Sequence, residues 1–555
     1  MIVCAALASA AATRAPEVIW VNGNIHTLDP SRPRAESIAV VEGRIARIGS
    51  TSDVRAESSP DAVVIDLGGA TVVPGLIDAH GHIGGLGSYV LGRLDLSSAD
   101  SFDDVIAIVA ERVRKAKPGE WIVGGRWDHE NWPGGELPTH ESLSAVSPNN
   151  PVWLTRVDGH AGLANAAAMR AAGVTRATQS PPGGEVLRDA AGEPTGIFVD
   201  AAEGLIERHA PPPADFAALV LAAQKQCLAL GLTGVHDAGA SPAEIEVYRA
   251  LERDGRLRLR VYVMVHGSVA PEYFRKHGTY AGPRLTVRAC KLYADGALGS
   301  RGAWLLQPYA DRATDDAGEP YAGLALTPAA QIEAIALDAL RQGYQVCTHA
   351  IGDRANREVL TAYAAAMRRQ GGVAAPRFRI EHAQLISLDD IPRFAELSVI
   401  ASVQPTHCTT DMRWVEQRIG PERVAGAYAW AKLLRSGARI AAGSDFPVES
   451  PNPMLGLYAA VTRQDAGGQP SGGWRPEDRL TREEALRAFT VDAAYAEFAE
   501  DRRGMLSPGR LADFVVLDRD VLACEAKELP ATRVQRTVIE GQTVYDASSA
   551  TTDTP

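Results

Sequence analysis

Between residues 224 and 445 the sequence alternates short β-branched runs with helical patterns, and this alternation constrains the fold more than any other feature. Parallel strands need long crossover connections, which are usually helices, so the alternation predicts an α/β fold with a parallel sheet. One earlier apolar run brings the number of predicted strands to eight. Eight such units predict a (β/α)8 TIM-like barrel, in which the carboxyl ends of all strands meet at one mouth. The predicted strands cover residues 72–82, 232–237, 257–265, 285–293, 344–349, 378–382, 400–404 and 439–445.

Short strand-like runs at both chain ends predict a second, smaller domain. Turn signals at Asn22-Gly23 and Glu42-Gly43 predict two hairpins near the amino end, and Glu540-Gly541 predicts another near the carboxyl end. Because these runs flank the barrel region, we expect one small β-sandwich built from both chain ends. The predicted division is a leader-like or disordered segment 1–16, an amino-terminal sandwich segment 17–73, a barrel 74–504 with an insertion at about 98–224, a carboxyl-terminal sandwich segment 505–547, and a tail 548–555.

The predicted insertion is expected to cover the end of the first barrel strand and to shape a substrate pocket. Residues 121–135 hold three tryptophans among glycines and prolines, which fits a pocket loop or, equally, a packed surface loop. A later strand in the insertion leads to Asp158 and His160. The residues expected to line the pocket are Trp127, Asp128, His160, Arg301 and His407.

Composition excludes several classes of protein. The chain has 56 basic and 68 acidic residues, a balance of −12, which argues against a nucleic-acid partner. Its six cysteines are far apart and form no Cys-x-x-Cys pair, so a disulfide framework is not expected. They are expected to be buried free thiols in a reducing compartment. Cys290 and Cys347 adjoin or lie near candidate site residues and are expected to pack on the opposite faces of their strands.

No apolar run reaches the length of a membrane span, so no membrane partner is expected. Residues 1–12 are apolar and small like a fragment of a secretory leader, but they lack the positive segment of a complete one. A cytoplasmic location is therefore expected, with periplasmic or secreted protein as the alternative. The expected partner is a small-molecule substrate. The sequence does not determine the oligomeric state, for which a homodimer is only a guess.

Five predicted strand ends carry residues that can converge on one site, namely four histidines, a lysine and an aspartate. The first strand ends in His80-Gly81-His82, and alternate residues of a strand point the same way, so both imidazoles would face one side if the strand reaches His82. Neutral imidazoles so placed can hold a divalent metal. In a barrel these residues would converge, and cationic imidazoles would repel one another, so a metal that binds them neutral is the simplest explanation. The other strand-end residues are Lys291, His349, His382 and Asp445.

Six motifs then resemble those of the amidohydrolase superfamily of metal-dependent hydrolases, and within it the branch of N-substituted formamide deformylase and the YtcJ-like proteins. The resemblance covers residues 18 to about 545. The motifs are PGLIDAHGH at 74–82, KLYADGALGSR at 291–301, HAIGD at 349–353, RIEHAQ at 379–384, GSDFPV at 443–448 and GRLADF at 509–514.

The resemblance implies two metal ions, the more buried one held by His80 and His82 and the other by His349 and His382. It implies that Lys291 is N-carboxylated and bridges them, because an ordinary lysine with a pKa near ~10.4 is a cation and cannot ligate. With Lys291 unmodified, a single ion held by fewer ligands is the alternative. Zinc is the favoured metal, and iron, manganese and nickel suit the same ligands.

The resemblance also implies a reaction, with Asp445 as a metal ligand and general base. Metal-activated water would attack an amide carbonyl, the metal and a nearby histidine would stabilise the oxyanion, and Asp445 would pass a proton to the leaving nitrogen. The expected activity is metal-dependent hydrolysis of a non-peptide C–N bond in an amide or N-acyl amine. The alternatives are hydrolysis of an ester or dipeptide on the same site, and a non-catalytic, metal-holding binding or regulatory protein. Neither the substrate nor the metal is fixed by the sequence.

Overall fold

The computed structural model describes residues 17–211, 215–315, 317–372 and 376–549. The leader-like segment 1–16 and all but the first two residues of the tail 548–555 lie outside these ranges. None of the helices in the described ranges of the chain combines the length and apolar character needed to cross a bilayer.

Eight parallel strands form the central sheet, and each is hydrogen-bonded to the next in chain order. The sheet closes at its mouth, where the N–H of Asp445 donates to the carbonyl of His80 and that of His82 to the carbonyl of Phe446, both at 2.7 Å. The predicted (β/α)8 barrel is therefore confirmed. Its strands are Leu76–Gly81, Leu232–Ala240, Arg260–His266, Leu285–Tyr293, Gln345–Ala350, Arg379–His382, Ile400–Val403 and Ile440–Ala442. A short strand, Tyr280–Ala281, pairs antiparallel with the fourth.

Helices cover the outside of the barrel and bury its largest apolar core. The third strand shows the alternation, since Val261, Val263 and Val265 join this outer core whereas Tyr262 and Met264 fill the barrel interior. The helices around the barrel are Ile83–Val90, Phe216–Ala229, Pro242–Arg253, Ala270–His277, Ala329–Gln342, Asp353–Arg369, Ile391–Glu396, Pro405–Asp411, Val415–Ile419, Trp430–Arg435, Pro453–Thr462, Arg482–Ala488 and Val491–Ala496.

The cysteines in the described ranges are free thiols, as predicted, and all but Cys524 are buried. Cys290 packs in the outer core, on the face opposite Lys291. The prediction for Cys347 is wrong, because this residue lies inside the barrel with Tyr262. It is two positions before His349 and therefore shares its face of the strand.

The predicted first strand is in fact two strands. Thr71–Pro74 belongs to the sandwich and Leu76–Gly81 to the barrel. Gly75 separates them, and a Cβ at this position would lie 2.4 Å from Oγ1 of Thr233. The barrel strand ends at Gly81, so His82 precedes the helix Ile83–Val90 rather than continuing the strand.

Two sheets form the sandwich, and both chain ends contribute to their shared core, as predicted. Trp20 and Phe514 meet there edge to face, with ring centroids 5.1 Å apart. One sheet has the order Arg44–Gly49, Ser37–Val41, Val18–Val21, Val63–Asp66. The other has the order Gln542–Asp546, Val534–Ile539, Phe514–Leu517, Thr71–Pro74, Asn24–His26, Arg34–Ala35. The helix Thr51–Ala56 lies between strands of the first sheet in the chain.

Two of the three predicted hairpins are confirmed. The turns at Glu42-Gly43 and Glu540-Gly541 both have positive φ at each residue, which matches the type of two-residue turn that suits the twist of a hairpin. The prediction at Asn22-Gly23 is wrong. The strands on either side of it enter different sheets, because Asn24–His26 pairs with Thr71–Pro74 instead of folding back on Val18–Val21.

A separate six-stranded sheet lies between the first and second barrel strands in the chain and has apolar cores of its own. It spans residues 94–200 and therefore holds the tryptophan-rich stretch and His160. Its strands, in spatial order, are Gly184–Arg188, Pro194–Asp200, Ala161–Ala164, Val152–Arg156, Ile122–Trp127 and Leu94–Asp95. Its helices are Phe102–Lys115, His140–Val146 and Ala166–Ala172, and the short helix Gly204–Glu207 packs against it after its last strand. We call this unit the insertion sheet.

Candidate active site

The barrel brings the six predicted metal-site residues together at its mouth. His80, Lys291, His349 and His382 lie in the last three positions of their strands, and Asp445 follows the eighth strand by three residues. His382 and Asp445 have φ values of +73° and +60°, a left-handed backbone that is costly for residues with a side chain and is concentrated at functional sites.

Distances between the side chains show how tightly this group is packed. Nε2 of His80 lies 3.3 Å from Nζ of Lys291 and 3.5 Å from Oδ1 of Asp445. Nε2 of His82 lies 3.1 Å from the same oxygen of Asp445, although His82 is outside the strand. The ring of His382 is centred 4.9 Å from that of His80 and 4.5 Å from that of His349.

A buried carboxylate determines which nitrogen of His80 faces the cluster. Nδ1 of His80 lies 2.5 Å from Oε2 of Glu381, so this nitrogen donates its proton and Nε2 keeps a lone pair. Nη2 of Arg379 in turn donates to Oε2 of Glu381 at 2.9 Å, and its Nε lies 2.7 Å from Oε1 in an ion pair. All three side chains are fully buried. This chain of contacts holds His80 in the tautomer that a metal needs.

The other two histidines of the cluster contact an amide and a backbone carbonyl, and Nε2 of His349 also lies 3.5 Å from Oδ1 of Asp295. Nδ1 of His382 lies 2.8 Å from Oε1 of Gln404, which leaves Nε2 unprotonated in the neutral ring. Nε2 of His349 lies 3.4 Å from the carbonyl oxygen of Gly296, a longer contact that favours Nδ1 as the free nitrogen. Each ring can therefore present one lone pair to the cluster.

Burial and charge favour neutral histidines beside an ionised aspartate. Burial lowers the pKa of His80, His349 and His382 well below the ordinary value, and neighbouring positive groups lower it further. Burial raises the pKa of Asp445, but the imidazoles of His80 and His82 outweigh burial and hold the pKa below its usual range. These are the protonation states in which imidazole and carboxylate bind a metal.

The donor atoms fit a divalent metal. Oδ1 of Asp445 is buried and makes no hydrogen bond of good geometry to any residue that the structure describes, although it faces the lone pair of His80. Two acceptors this close repel each other unless a positive charge lies between them. One ligand atom from each of His80, His382 and Asp445 can be chosen so that all lie within 4.8 Å of one another. Unmodified Lys291 supplies one positive charge here, and a divalent ion would supply two.

A cavity of about 220 Å³ opens in front of this cluster. Its floor includes His349, His382 and Asp445 from the barrel, and its roof comes from the insertion sheet. Three of the five residues predicted to line the pocket do line it, namely Asp128, His160 and His407. The small volume suits a small molecule or one end of a larger one.

Trp127 is not among the described residues that line the cavity, so its prediction is wrong. Its side chain is 1% exposed and stacks on Trp132 with ring centroids 5.9 Å apart. Its Nε1 donates to the carbonyl of Leu154 at 2.8 Å. The tryptophans of this stretch form the core of the insertion sheet, because a buried indole can satisfy its one donor on a neighbouring strand.

Arg301 also lies elsewhere. It has a φ of +62° and donates to Oδ2 of Asp311 at 2.9 Å. It lines a different cavity together with Glu185. The turn that follows Gly299 carries the side chain past the mouth, so the prediction that it lines the pocket is wrong.

The cavity roof contains charged residues that sequence reasoning did not select. Arg156 is buried and donates to Asp128 and Asp158, at 2.5 Å in each case. Asp411, from the helix Pro405–Asp411, and Glu449, which follows the eighth barrel strand, add acidic groups from the barrel to the lining of the same cavity. Burial raises the pKa of Asp411 to about 7 and also raises that of Glu449.

Glu381 was the important omission from the sequence prediction. It adjoins His382, and adjacent residues of a regular strand point to opposite faces. The positive φ of His382 breaks this rule and lets both side chains enter the site. The weak signal available was the spacing of Arg379 and Glu381, two charged residues on one face of an otherwise apolar strand.

Comparison with known proteins also supports a hydrolase. The model of the amidohydrolase family matches residues 63–545. The chain is 34% identical to the protein LONG AFTER FAR-RED 3 of Arabidopsis thaliana, over 95% of this chain and 91% of that protein. It is 32% identical to the putative amidohydrolase YtcJ of Bacillus subtilis, over 96% of this chain and all of that one. It is 29% identical to N-substituted formamide deformylase of Arthrobacter pascens, over 97% of this chain and all of that one.

Solved structures show the same architecture. The crystal structure of an uncharacterized metal-dependent hydrolase from Pyrococcus furiosus superposes with a TM-score of 0.71 and 29% sequence identity, covering 91% of this chain and all of the other. The predicted resemblance to the branch of YtcJ and N-substituted formamide deformylase is thereby confirmed. A hydrolase acting on carbon–nitrogen bonds, this chain belongs to the amidohydrolase family.

Proposed function

We propose that the protein uses a divalent metal to hydrolyse the C–N bond of a small amide or N-acyl amine. The observation that carries this proposal is the approach of the His80 lone pair to the Asp445 carboxylate at 3.5 Å, beneath a cavity that a small substrate can enter. A cation stabilises such a contact, and neutral imidazoles with a carboxylate suit zinc.

The residues that would hold the metal are His80, His82, Lys291, His349, His382 and Asp445. Lys291 would serve as a ligand only if carboxylated, and without that modification the remaining residues would hold one ion. When bound, such a metal supplies Lewis acidity, which makes water nucleophilic near neutral pH and polarises a carbonyl group. The buried lysine, 1% exposed, is placed among these ligands rather than in water.

Asp445 would move the protons of the reaction. Its carboxylate is ionised, lines the cavity and lies next to the ligand nitrogens, so it can take a proton from the attacking water. The water oxygen bonds to the carbonyl carbon, and the C–N bond then breaks. Asp445 returns the proton to the departing nitrogen, so the products are a carboxylic acid and an amine.

An amide is the favoured substrate because of the relative named N-substituted formamide deformylase, which matches 97% of this chain. Hydrolysis of an ester or a dipeptide on the same residues is the alternative. The ester alternative differs in the bond that breaks and releases an alcohol instead of an amine, so product analysis distinguishes it.

The test is a substrate panel of N-butylformamide, N-butylacetamide and butyl formate, given to wild type, Asp445→Asn and Asp501→Asn. We expect wild type to release butylamine from at least one amide, and we expect loss of Asp445 to lower kcat at least about 10²-fold, the lower end of what general acid–base catalysis contributes. Asp501 is exposed and serves as the matched control. Release of butanol alone would favour the ester alternative, and no product from any substrate would contradict the proposal.

A further inference from the structure

A line of buried polar side chains runs through the interior of the barrel, from the proposed metal ligands towards the opposite end. Barrel interiors are usually filled by bulky branched side chains. Here the ring of His236, from the second strand, lies 5.1 Å from that of Tyr262, which fills the interior. We call this line the barrel column, and its members, all buried, are Glu381, Arg379, His236, Glu497 and Arg503.

Arg379 connects the column to the ligand His80 in two ways. Its Nη2 donates to Oε2 of Glu381, the oxygen that also accepts from Nδ1 of His80. The same Nη2 donates to the carbonyl oxygen of Ala79 at 2.6 Å. Because Ala79 immediately precedes His80, one guanidinium group contacts both the backbone next to this ligand and the carboxylate that holds its ring. A shift of Arg379 would therefore change the position of His80.

His236 holds the other arm of this guanidinium group. Nδ1 of His236 lies 2.8 Å from Nη1 of Arg379. A guanidinium group offers only donors, so Nδ1 is the acceptor and the proton of the neutral ring lies on Nε2. That Nε2 lies 3.5 Å from Oε2 of Glu497. The carboxylate of Glu497 thus favours the ring orientation in which the lone pair on Nδ1 meets Arg379.

Glu497 lies at the amino ends of the barrel strands, remote from the cavity. It comes directly after Ala496, whose carbonyl oxygen accepts from Nε2 of Gln345, the first residue of the fifth strand, at 3.0 Å. Arg503 donates to Glu497 and holds its carboxylate in place. None of the column members is among the described residues that line the cavity. The column therefore joins the two ends of the barrel without contacting a substrate.

Stability alone does not account for the column. Its two guanidinium groups balance its two carboxylates, so little net charge is buried. Even so, replacement of buried ion pairs by well-packed apolar residues often leaves a protein equally or more stable. What such contacts add is geometry, because a hydrogen bond between charged groups has a restricted distance and direction. In this column the sequence of constraints ends at a proposed metal ligand.

We propose that His236 and Glu497 are positioning residues for the metal site. They act on His80 through Arg379 and Glu381, and every donor along the column keeps its proton. This inference rests on the metal site of the proposed function, whichever bond the protein cleaves. It gives residues at the far end of the barrel a role in metal affinity.

The experiment measures zinc affinity by competition with a chelator of known affinity, for wild type, Glu497→Gln, His236→Leu and His236→Asn. Loss of a direct partner of a ligating histidine weakens metal binding about 10- to 100-fold, so for these more distant groups we expect about 3- to 10-fold in Glu497→Gln and His236→Leu. His236→Asn keeps an acceptor close to the position of Nδ1. It should therefore recover most of the affinity that His236→Leu loses.

Asp478→Asn is the matched control. Asp478 is a fully buried carboxylate that pairs with Lys432, so the same change of charge occurs in a buried ion pair outside the column. Its thermal stability is expected to fall, but its zinc affinity should equal that of wild type. The double variant of Glu497→Gln and Glu381→Gln tests the route. If Glu497 acts through Glu381, the double variant should bind zinc as tightly as Glu381→Gln alone.

Wild-type zinc affinity in Glu497→Gln or in His236→Leu would overturn the inference and leave the proposed function intact. Equal weakening in Asp478→Asn would also overturn it, because a general loss of stability would then explain the effect. Independent, multiplying effects in the double variant would contradict the route through Glu381. If Glu497→Gln does not fold, equal affinities in His236→Leu and His236→Asn would still overturn the inference.

The failure of the proposed function has a different signature. A wild type that binds zinc but hydrolyses no substrate of the panel would contradict the proposed function alone, since zinc affinity in the variants still tests the column. A wild type that binds no zinc would contradict both.

Discussion

At the scale of single residues, the site depends on partners that hold the ligands as much as on the ligands themselves. His80 is held by Glu381, and Glu381 by Arg379, in a chain of fully buried groups. A buried charge that loses its partner is costly, so each member of the chain constrains the next. The metal affinity of the site should therefore be sensitive to a residue that is not itself a ligand.

We predict that Glu381→Gln weakens metal binding about 10- to 100-fold, the effect typical of removing the partner of a ligating histidine. The glutamine keeps an acceptor for Nδ1 of His80 but removes the charge that makes its Nε2 more basic. The measurement is competition between the protein and a chelator of known affinity, with metal retained as the readout.

The control for this change is Glu333→Gln. It breaks a surface ion pair in which Glu333 accepts from Arg369 at 2.8 Å, so the same change in charge occurs far from the site. Equal metal retention in Glu381→Gln and Glu333→Gln would show that Glu381 does not tune the ligand.

Sequence reasoning selected the six candidate ligands but missed the groups around them. The ligand types occur at strand ends, where a barrel concentrates its chemistry, and that placement can be read from apolar runs. Glu381 shares its strand face with Arg379, whereas His382 has a left-handed backbone that no local pattern encodes. The contact between His160 and Asp200 depends on pairing between strands that are 40 residues apart.

At the scale of elements, the insertion sheet forms the roof of the site and is tied to the barrel by buried ion pairs. Arg418 of the helix Val415–Ile419 pairs with Glu130 from the insertion sheet and with Asp311 from a barrel loop. Arg418 and Glu130 have side chains that are 3% and 6% exposed. This contact joins the insertion sheet to the barrel beside the cavity. We therefore expect it to fix the distance between the insertion sheet and the proposed metal ligands.

We predict that Arg418→Met lowers stability by about 3–5 kcal/mol, because it leaves the buried charge of Glu130 unpaired. Adding Glu130→Gln to the same chain should recover some of this loss, since the orphaned charge is then removed. Thermal unfolding of the single and double variants measures the effect. An equal melting temperature in Arg418→Met and wild type would contradict the structural role assigned to this contact.

Sequence patterns predicted which helices and strands exist more accurately than the residues at which they begin and end. The eight barrel strands follow from apolar runs that alternate with helices, and all eight are present. The Pro74-Gly75 pair was the local signal for the break between the two strands. The close approach of Thr233, which leaves no room for a Cβ at Gly75, could not be predicted because Thr233 is more than 150 residues away. The hairpin predicted at Asn22-Gly23 is absent because long-range pairing of Asn24–His26 with Thr71–Pro74 outweighs the local preference for a hairpin.

At the scale of the whole molecule, the sandwich brings the two chain ends together and is bonded to the start of the third barrel strand. Arg260 of the third barrel strand donates to both oxygens of Asp513, at 2.7 and 3.1 Å, and to Glu540 at 3.0 Å. Asp513 comes from the carboxyl end of the chain, yet it reaches a strand in the middle of the barrel. Phe514–Leu517, next to Asp513, pairs with Thr71–Pro74, so strands that are far apart in the chain complete one domain.

The most direct test of the central claim is the metal content of the whole chain, measured by elemental analysis after purification without chelator. We predict one or two divalent ions per chain, two if Lys291 is carboxylated and one if it is not. Stripping the protein with a chelator should abolish hydrolysis, and adding zinc with bicarbonate should restore it. A chain that binds no metal after this reconstitution, or that hydrolyses its substrate equally well without metal, would contradict the account.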